Sequence, residues 1–501
     1  MSALPQLPST PGALEAHFAP FRANTLGIDQ TIETPYGVMP IVYADWIASG
    51  RLYGPLEDRM RGQIGPFVAN THTETSTTGT LMTRAYHSAL KRIKAHVGAA
   101  AEDAVICYGS GMTGVVNKFQ RILGLRVHES YIDRVSPAAD ARPIVFVTHM
   151  EHHSNQTSWL ETLCDVEVIP PDAQGEVDLA ALDALLAKYA ARPVKIASIT
   201  SCSNVTGLFT PYHDIAERMH AAGGLCFVDF ACSAPYIDIV MHPPGRPQAG
   251  LDAIYFSPHK FLGGPGSSGV LVFNTRLYRN RVPDNPGGGT VDWTNPWGQH
   301  KYVDDVEARE DGGTPGFLQA IRTALAIELK QQMGVANILA REHELMAIVW
   351  PALLAIPGLH LLAADNAERL GVLSFYIEDL HYNLAVRLLN DRFGIQVRGG
   401  CSCAGTYGHY LLQVSHERSQ SITDKISAGI LCDKPGWVRL SLHPTMTDAE
   451  ARFIVEAIRD LAAQHRAWGA DYTYCERRNE FFHPSESGFV DARAAEFFAP
   501  L

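Results

Sequence analysis

Between about residues 80 and 275 the chain alternates two hydrophobic rhythms. In LMTRAYHSALKRIKAHVG, apolar side chains fall at 82, 85/86, 89/90, 93 and 97, the repeat of an amphipathic helix. AVICYG and GMTGVVNKFQRILG then read as a strand, a glycine-rich turn and a helix. Short apolar runs follow: IVFVT, VEVIP, VKIASIT, LCFVD, AIYF and GVLVF, two pairs of them separated by the helical stretches DLAALDALLAKYA and YHDIAERMHAAG. Apolar strands joined by helices predict a largely parallel sheet covered on both faces. Little helix separates AIYF from GVLVF, so the last pair is expected to depart from that rule.

Residues 280–316, with RVPDNPGGGTVDWTNPWGQ, are turn-rich and predict no regular structure. A long helical pattern resumes over 316–350. An α+β pattern follows with VLSFYIE, YNLAVRLLND, GIQVR, WVRLSL and the helix of TDAEARFIVEAIRDLAAQH, which opens on a Thr447–Glu450 capping box. The apolar stretch 345–364 is interrupted by Pro351, Pro357 and His360, so it reads as a buried helix ending near Pro351, then a turn and a strand, and not as a membrane span. The predicted domains are a large α/β domain over 40–315, a small α+β domain from 1–39 and 316–466, and a C-terminal extension over 467–501 packing on the surface.

Composition narrows the function. The 501 residues are 46% hydrophobic and 19% charged, and 41 basic against 53 acidic side chains give 41 − 53 = −12. That charge argues against nucleic acid and favours a small-molecule substrate. The N-terminus lacks a basic region and a continuous apolar core, so no signal peptide is expected. The nine cysteines are scattered, only 401 and 403 being close, which fits reduced thiols in a cytoplasmic protein better than a disulfide framework.

The candidate chemistry centres on SPHKFLGGPGSSGVLVF, residues 257–273, where Lys260 stands between a histidine and a glycine-rich run. A lysine at a buried strand end is costly unless something uses it. Asp229 closes the apolar run LCFVD, and in an open α/β sheet such a strand end faces the ligand crevice. A lysine able to form an imine and a buried carboxylate to keep a pyridine nitrogen protonated are two requirements of pyridoxal phosphate chemistry. The turn YGSGMTG, with Met112 and Thr113 opening a helix, offers backbone N–H groups and a hydroxyl to a phosphate. Each feature alone has an ordinary structural explanation; their joint order carries the reading.

These motifs resemble the class V aminotransferase fold group, in particular its cysteine desulfurase and selenocysteine lyase branch, over about residues 40–465. The resemblance implies an aspartate aminotransferase-like fold and a set of roles. Lys260 would be the imine-forming lysine, with Ser257 and His259 on the cofactor phosphate. In MEHHSNQTSW, His152 would stack on the pyridine ring; in SNVTG, Asn204 would lie near the phenolic oxygen and the substrate; in VDFACSAPY, Asp229 would meet the ring nitrogen. Gly313 and Thr314 of GGTPG would reach the phosphate of a second subunit, implying a homodimer. Arg439 of WVRLSL would bind the substrate carboxylate, a role suited to a bidentate guanidinium.

The stretch VRGGCSCAGTYGH bears on the reaction, because the branch carries a catalytic cysteine in a Gly-rich loop after an arginine, and Cys403 falls on that position counting from Arg398. Its thiolate would take sulfur from L-cysteine or selenium from L-selenocysteine and release L-alanine, a sulfur-acceptor protein then receiving the persulfide. Cys401 could relay the persulfide or form a regulatory disulfide. His72 aligns with a substrate-side histidine, but Thr73 stands where relatives often carry arginine, and Cys232 stands where a glutamine usually hydrogen-bonds the cofactor. These departures keep a second outcome open on the same scaffold, an epimerase, C–S β-lyase or aminotransferase. A third reading is a scaffold or sulfur carrier without pyridoxal phosphate. No metal, nucleic acid or membrane partner is expected.

Overall fold

The computed structural model describes residues 12–486 and 488–500. Two compact units form. One comprises Ser49–Ser203 and Leu208–Val335; the other comprises, of the described residues, those from 12 to 48, Asn204–Gly207, and those from Ala336 onward.

The first unit is built on a seven-stranded sheet: β1 (Asp103–Tyr108), β2 (Ile144–Thr148), β3 (Asp165–Ile169), β4 (Lys195–Thr200), β5 (Leu225–Asp229), β6 (Ala253–Phe256) and β7 (Gly269–Asn274). Their spatial order is β1-β7-β6-β5-β4-β2-β3. The pairs from β3 to β6 are parallel, while β7 runs antiparallel to both neighbours. The expected departure at GVLVF is therefore present. Because β7 is the one reversed strand, the carboxyl ends of β1, β2, β4, β5 and β6 all emerge at one edge, where ligands bind in open α/β sheets.

Helix α1 (Thr77–His96) is capped by Ser76, whose Oγ accepts from Gly79 N. Helix α2 (Met112–Ile122) lays Met112, Val115, Val116 and Phe119 on one sheet face against Phe227 and Phe273. The Phe119 ring centre lies 5.1 Å from that of Phe227 and 5.2 Å from that of Phe273. Removing an aromatic ring from such a core costs about 3–5 kcal/mol. Helix α3 (Phe317–Met333) packs on α1 through Ile321 and Ala324 around Ala89, so it belongs to the unit holding the large sheet.

Two expectations are corrected here. The helical pattern of 316–350 is two helices, because Gly334 takes φ +79° between α3 and α4 (Val335–Leu354). Helix α4 runs past Pro351 to Leu354, since a proline in the last turn sacrifices only one helical bond. The turn-rich stretch also contains regular structure: Val291–Thr294 pairs with His300–Tyr302, and Val306–Glu310 is helical. Asn295 makes that hairpin possible, its Oδ1 accepting from Trp297 N and Gln299 N at 3.1 and 3.0 Å.

The second unit has a four-stranded antiparallel sheet of β8 (Leu359–Leu361), β9 (Val372–Ile377), β10 (Arg398–Gly400) and β11 (Trp437–Ser441), ordered β8-β9-β11-β10. Helices α4, α5 (Tyr382–Phe393) and α6 (Asp448–Gly469) cover it through Leu345, Val349, Leu388 and Ile458. The capping box forms as expected: Thr447 Oγ1 accepts from Glu450 N and the Glu450 carboxylate accepts from Thr447 N, both at 3.1 Å. The tail adds a hairpin, Thr473–Cys475 with Glu480–Phe482, anchored where Asn479 donates to the Tyr382 hydroxyl at 2.7 Å. No helix among the described residues is long and apolar enough to cross a membrane.

Candidate active site

In the sheet-bearing unit, the expected residues gather at the edge where the strands end. Ser257 follows β6 and begins a single tight turn, Pro258–Lys260, so Lys260 is half-buried one step beyond the sheet. The Ser257 hydroxyl accepts from Met112 N at 2.8 Å, joining the Lys260 turn to the first turn of α2. Its own proton stays available to an anion. Gly111 faces the same spot: a methyl group there would come 3.2 Å from Ser257 Oγ and 3.6 Å from the His259 ring. Gly264 lets the chain leave the turn, because a Cβ at that position would sit 1.9 Å from the Pro258 carbonyl oxygen.

Burial, followed by the positive charge of Lys260, lowers the His259 pKa to about 4. A neutral imidazole therefore lines the cradle at pH 7. Thr113 Oγ1 shares a 2.7 Å hydrogen bond with Ser154 Oγ. That contact ties α2 to the helix His153–Leu160, whose N-cap is His152. His152 Nδ1 accepts from Ser154 N at 3.1 Å, which puts the proton of the neutral ring on Nε2.

Asp229, the last residue of β5, is buried, with Oδ1 accepting from Ala231 N at 2.8 Å. Burial raises its pKa to about 6, against the opposing pull of that N–H and of the Lys260 charge. Asp229 and Lys260 are thus electrostatically coupled. A second buried carboxylate was passed over in the sequence. Glu151 accepts from Thr148 N, Thr148 Oγ1, Thr200 N and Asn155 Nδ2 at 2.7–3.2 Å, tying the ends of β2 and β4 together. Burial pushes its pKa to about 7. The Glu-His-His segment holds the only sequence signal for it, a carboxylate three residues after the end of the apolar run IVFVT.

Cys232 is buried, its thiol 3.5 Å from the Ser203 carbonyl oxygen and 3.9 Å from Cys202 Sγ. His72 takes φ +63° beside Gly289, where a Cβ would come 3.1 Å from its ring. Gly313 has φ +85°, and the Thr314 hydroxyl donates to Asn70 Oδ1 at 3.3 Å. These segments, 70–72, 289 and 311–314, form a cluster of their own in which the His72 charge also acts on Asp311.

Asn204, Arg439 and Cys403 belong to the other unit. Arg439 on β11 is buried; its Nη1 donates to Asn204 O at 3.2 Å and its Nη2 to Asp45 Oδ1 at 2.7 Å. Cys401 to Ala404 make a tight turn closed by Ala404 N donating to Cys401 O at 3.0 Å. Its central residues, Ser402 and Cys403, both take positive φ, +51° and +58°. Non-glycine residues held there cost on the order of 1–3 kcal/mol each and persist where surroundings enforce them. Enforcement comes from Asn204, whose Nδ2 donates to Ser402 O at 2.7 Å. The result is an exposed Cys403 thiol on a strained, anchored turn, with half-buried Cys401 at its start.

A model of the family described as "Aminotransferase class-V" matches residues 42–453. The chain belongs to the class-V aminotransferase family. Among related proteins, a probable cysteine desulfurase of Halalkalibacterium halodurans is 28% identical over 369 residues, 73% of this chain and 84% of that protein. A cysteine desulfurase of Synechococcus elongatus is also 28% identical, over 73% of this chain and 55% of its own length. Among solved structures, the apo cysteine desulfurase from Thermococcus onnurineus superposes with a TM-score of 0.68 at 21% identity, covering 84% of this chain and 95% of that one. The Escherichia coli cysteine desulfurase CsdA gives 0.67 at 22%, covering 89% and 98%. These neighbours show a shared fold, that of pyridoxal-phosphate-dependent enzymes.

Class-V aminotransferases work with pyridoxal phosphate, and the residues here fit it. The side-chain-free Gly111 keeps the start of α2 open against Ser257 and His259, a setting for a phosphate. The buried Asp229 suits a protonated ring nitrogen, and it shares its unit with the coupled Lys260.

Proposed function

We propose that this class-V aminotransferase is a cysteine desulfurase, converting L-cysteine to L-alanine and passing the sulfur through Cys403 as a persulfide. The observation that carries this reading is the strained turn 401–404, which presents an exposed thiol while Asn204 grips its backbone. The names of the related proteins support the same reaction.

Pyridoxal phosphate, when bound, supplies an electron-withdrawing ring that stabilises negative charge at the substrate's Cα. Lys260 Nζ would hold the cofactor in the resting enzyme and would move the proton at the substrate's Cα. Asp229 would keep a positive charge on the ring nitrogen, and His152 would be the residue to stack on the ring. Ser257, His259, Thr113 and Met112 at the start of α2 would hold the phosphate. Asn204 and Cys232 would serve the phenolic oxygen. Arg439 fixes the substrate carboxylate, with His72 and Asn204 beside the substrate. The Cys403 thiolate attacks the substrate sulfur; the S–S bond forms as the C–S bond breaks, and the carbon skeleton leaves as alanine after taking a proton. L-Selenocysteine would follow the same course.

The protein works as a homodimer in which Gly313 and Thr314 serve the phosphate bound by a second copy, and a sulfur-acceptor protein discharges Cys403. Nine scattered cysteines, only 401 and 403 close in sequence, support a cytoplasmic setting. Cys232, whose thiol lies toward Ser203 O in place of a glutamine amide, favours one alternative, another class-V reaction such as an epimerase, C–S β-lyase or aminotransferase.

The test is product analysis with cofactor-loaded protein and a panel of amino acids. L-Cysteine should give alanine and sulfide, and Cys403→Ser should abolish both while leaving the cofactor's absorbance band intact. A keto acid, a racemised substrate, or sulfide release untouched by Cys403→Ser would reject the desulfurase reading. Lys260→Ala should remove the band.

A further inference from the structure

Arg398 and Arg439 are direct cross-strand partners in the β10–β11 pairing. Like charges opposite one another in a sheet repel, and here one of the two, Arg439, is buried. A single carboxylate separates them. Asp45 Oδ1 accepts from Arg439 Nη2 at 2.7 Å and Oδ2 accepts from Arg398 Nε at 3.2 Å.

Asp45 is itself fixed from both sides by the backbone. Ala44 N donates to Gln396 O at 2.9 Å, Ser441 N to Ala44 O at 2.8 Å, and Ile47 N to the Ser441 hydroxyl at 3.1 Å. The carboxylate therefore has little freedom to follow the guanidiniums; they must align to it.

Two further facts show what the alignment serves. Arg439 spends donors on Asp45 and on Asn204 O, yet its Nε is buried with no acceptor among the described residues. A guanidinium with five N–H donors, two groups engaged and one buried donor unused is set for another acceptor. In charge, two guanidiniums and one carboxylate leave a net of +1, matched to one carboxylate of an amino acid. Arg398 also begins the strand that leads directly into the Cys401–Ala404 turn.

We propose that Asp45 is a positioning residue, which orients the Arg439 guanidinium for the substrate carboxylate and, through Arg398, braces the base of the Cys403 turn. The proposal rests on the reading of Arg439 as the carboxylate ligand.

The test uses cofactor-loaded protein and equilibrium binding, followed by the cofactor's absorbance, of L-alanine and of L-alaninamide, which lacks the carboxylate. Asp45→Asn should weaken L-alanine by roughly tenfold to a hundredfold, the range of a lost charge-assisted hydrogen bond, and leave alaninamide nearly unchanged. With L-cysteine, KM should rise by a similar factor and kcat should fall less. In an Arg439→Lys background, Asp45→Asn should add little. If Asp45→Asn does not fold, Asp45→Glu gives the same comparison, since it keeps the charge but displaces Arg439. Equal weakening of alanine and alaninamide, or no weakening of either, overturns the proposal. If Arg439→Lys selectively weakens alanine while the Asp45 variants do not, the proposal alone fails. If Arg439→Lys has no selective effect, the reading of Arg439 fails with it.

Discussion

The Asp229 carboxylate sits where burial opposes its charge, so removing the charge should stabilise the empty protein. Its pKa moves from an ordinary 3.8 to about 6 in the fold. The folded chain therefore binds more protons than the unfolded chain between those values. Stability falls as pH rises through the window and stays lower above it. At about 1.36 kcal/mol per pKa unit, the full penalty is about 3 kcal/mol at neutral pH and above. Asp229→Asn keeps an oxygen to accept from Ala231 N and removes the titration. With the cofactor stripped from both proteins, the excess stability of the variant should grow from roughly half its full size at pH 5 to about 3 kcal/mol at pH 8. Any fixed contribution of the amide adds equally at every pH, so the growth with pH, on the order of 1 kcal/mol, is the diagnostic quantity. Urea unfolding at several pH values measures it. An excess that is flat with pH, or that shrinks as pH rises, would refute the linkage. The same substitution should cripple turnover, making Asp229 a site where function opposes stability.

Two other perturbations probe the backbone. Ser402→Gly removes a left-handed serine, whose hydroxyl is also buried without a partner among the described residues, and should stabilise the protein by about 1 kcal/mol in urea unfolding; destabilisation would show that the turn is not strained. Gly264→Ala places a methyl group 1.9 Å from the Pro258 carbonyl oxygen and should displace the Lys260 turn, lowering turnover on the order of 100-fold; wild-type rates would contradict that packing.

Much of the large sheet was legible because its strands are apolar on both faces and its helices carry a 3.6-residue period. The reversal of β7 was legible from one missing helix. What escaped depended on partners distant in sequence or on local capping. Asp45 gives no signal by itself: its main partner, Arg439, lies 394 residues away, and only the fold joins them. Glu151 sat inside a recognised segment, but its four donors come from two strands and a helix. The strained turn at 401–404 was hidden because serine and cysteine seldom take left-handed backbone, and nothing in CSCA announces that they do so here. The hairpin at 291–302 was hidden for the opposite reason. Its turn residues looked like a loop, and the Asn295 side chain that closes the hairpin works through bonds two and four residues on.

The place of β1 in the large sheet bears on how the protein is made. β1 is an edge strand whose one neighbour is β7, so Tyr108 waits for Gly269, 161 residues later, before its ladder can form. At ribosomal speeds of about 5–20 residues per second, the nascent β1 stays unpaired for roughly 8–30 s. Its sequence, DAVICY, is almost wholly destined for burial, the kind of exposed strand that chaperones hold and that aggregates when they are scarce. Expression yield should therefore be limited by the synthesis interval between these two strands, and slowing translation across it should lower the soluble fraction more than slowing translation after residue 274.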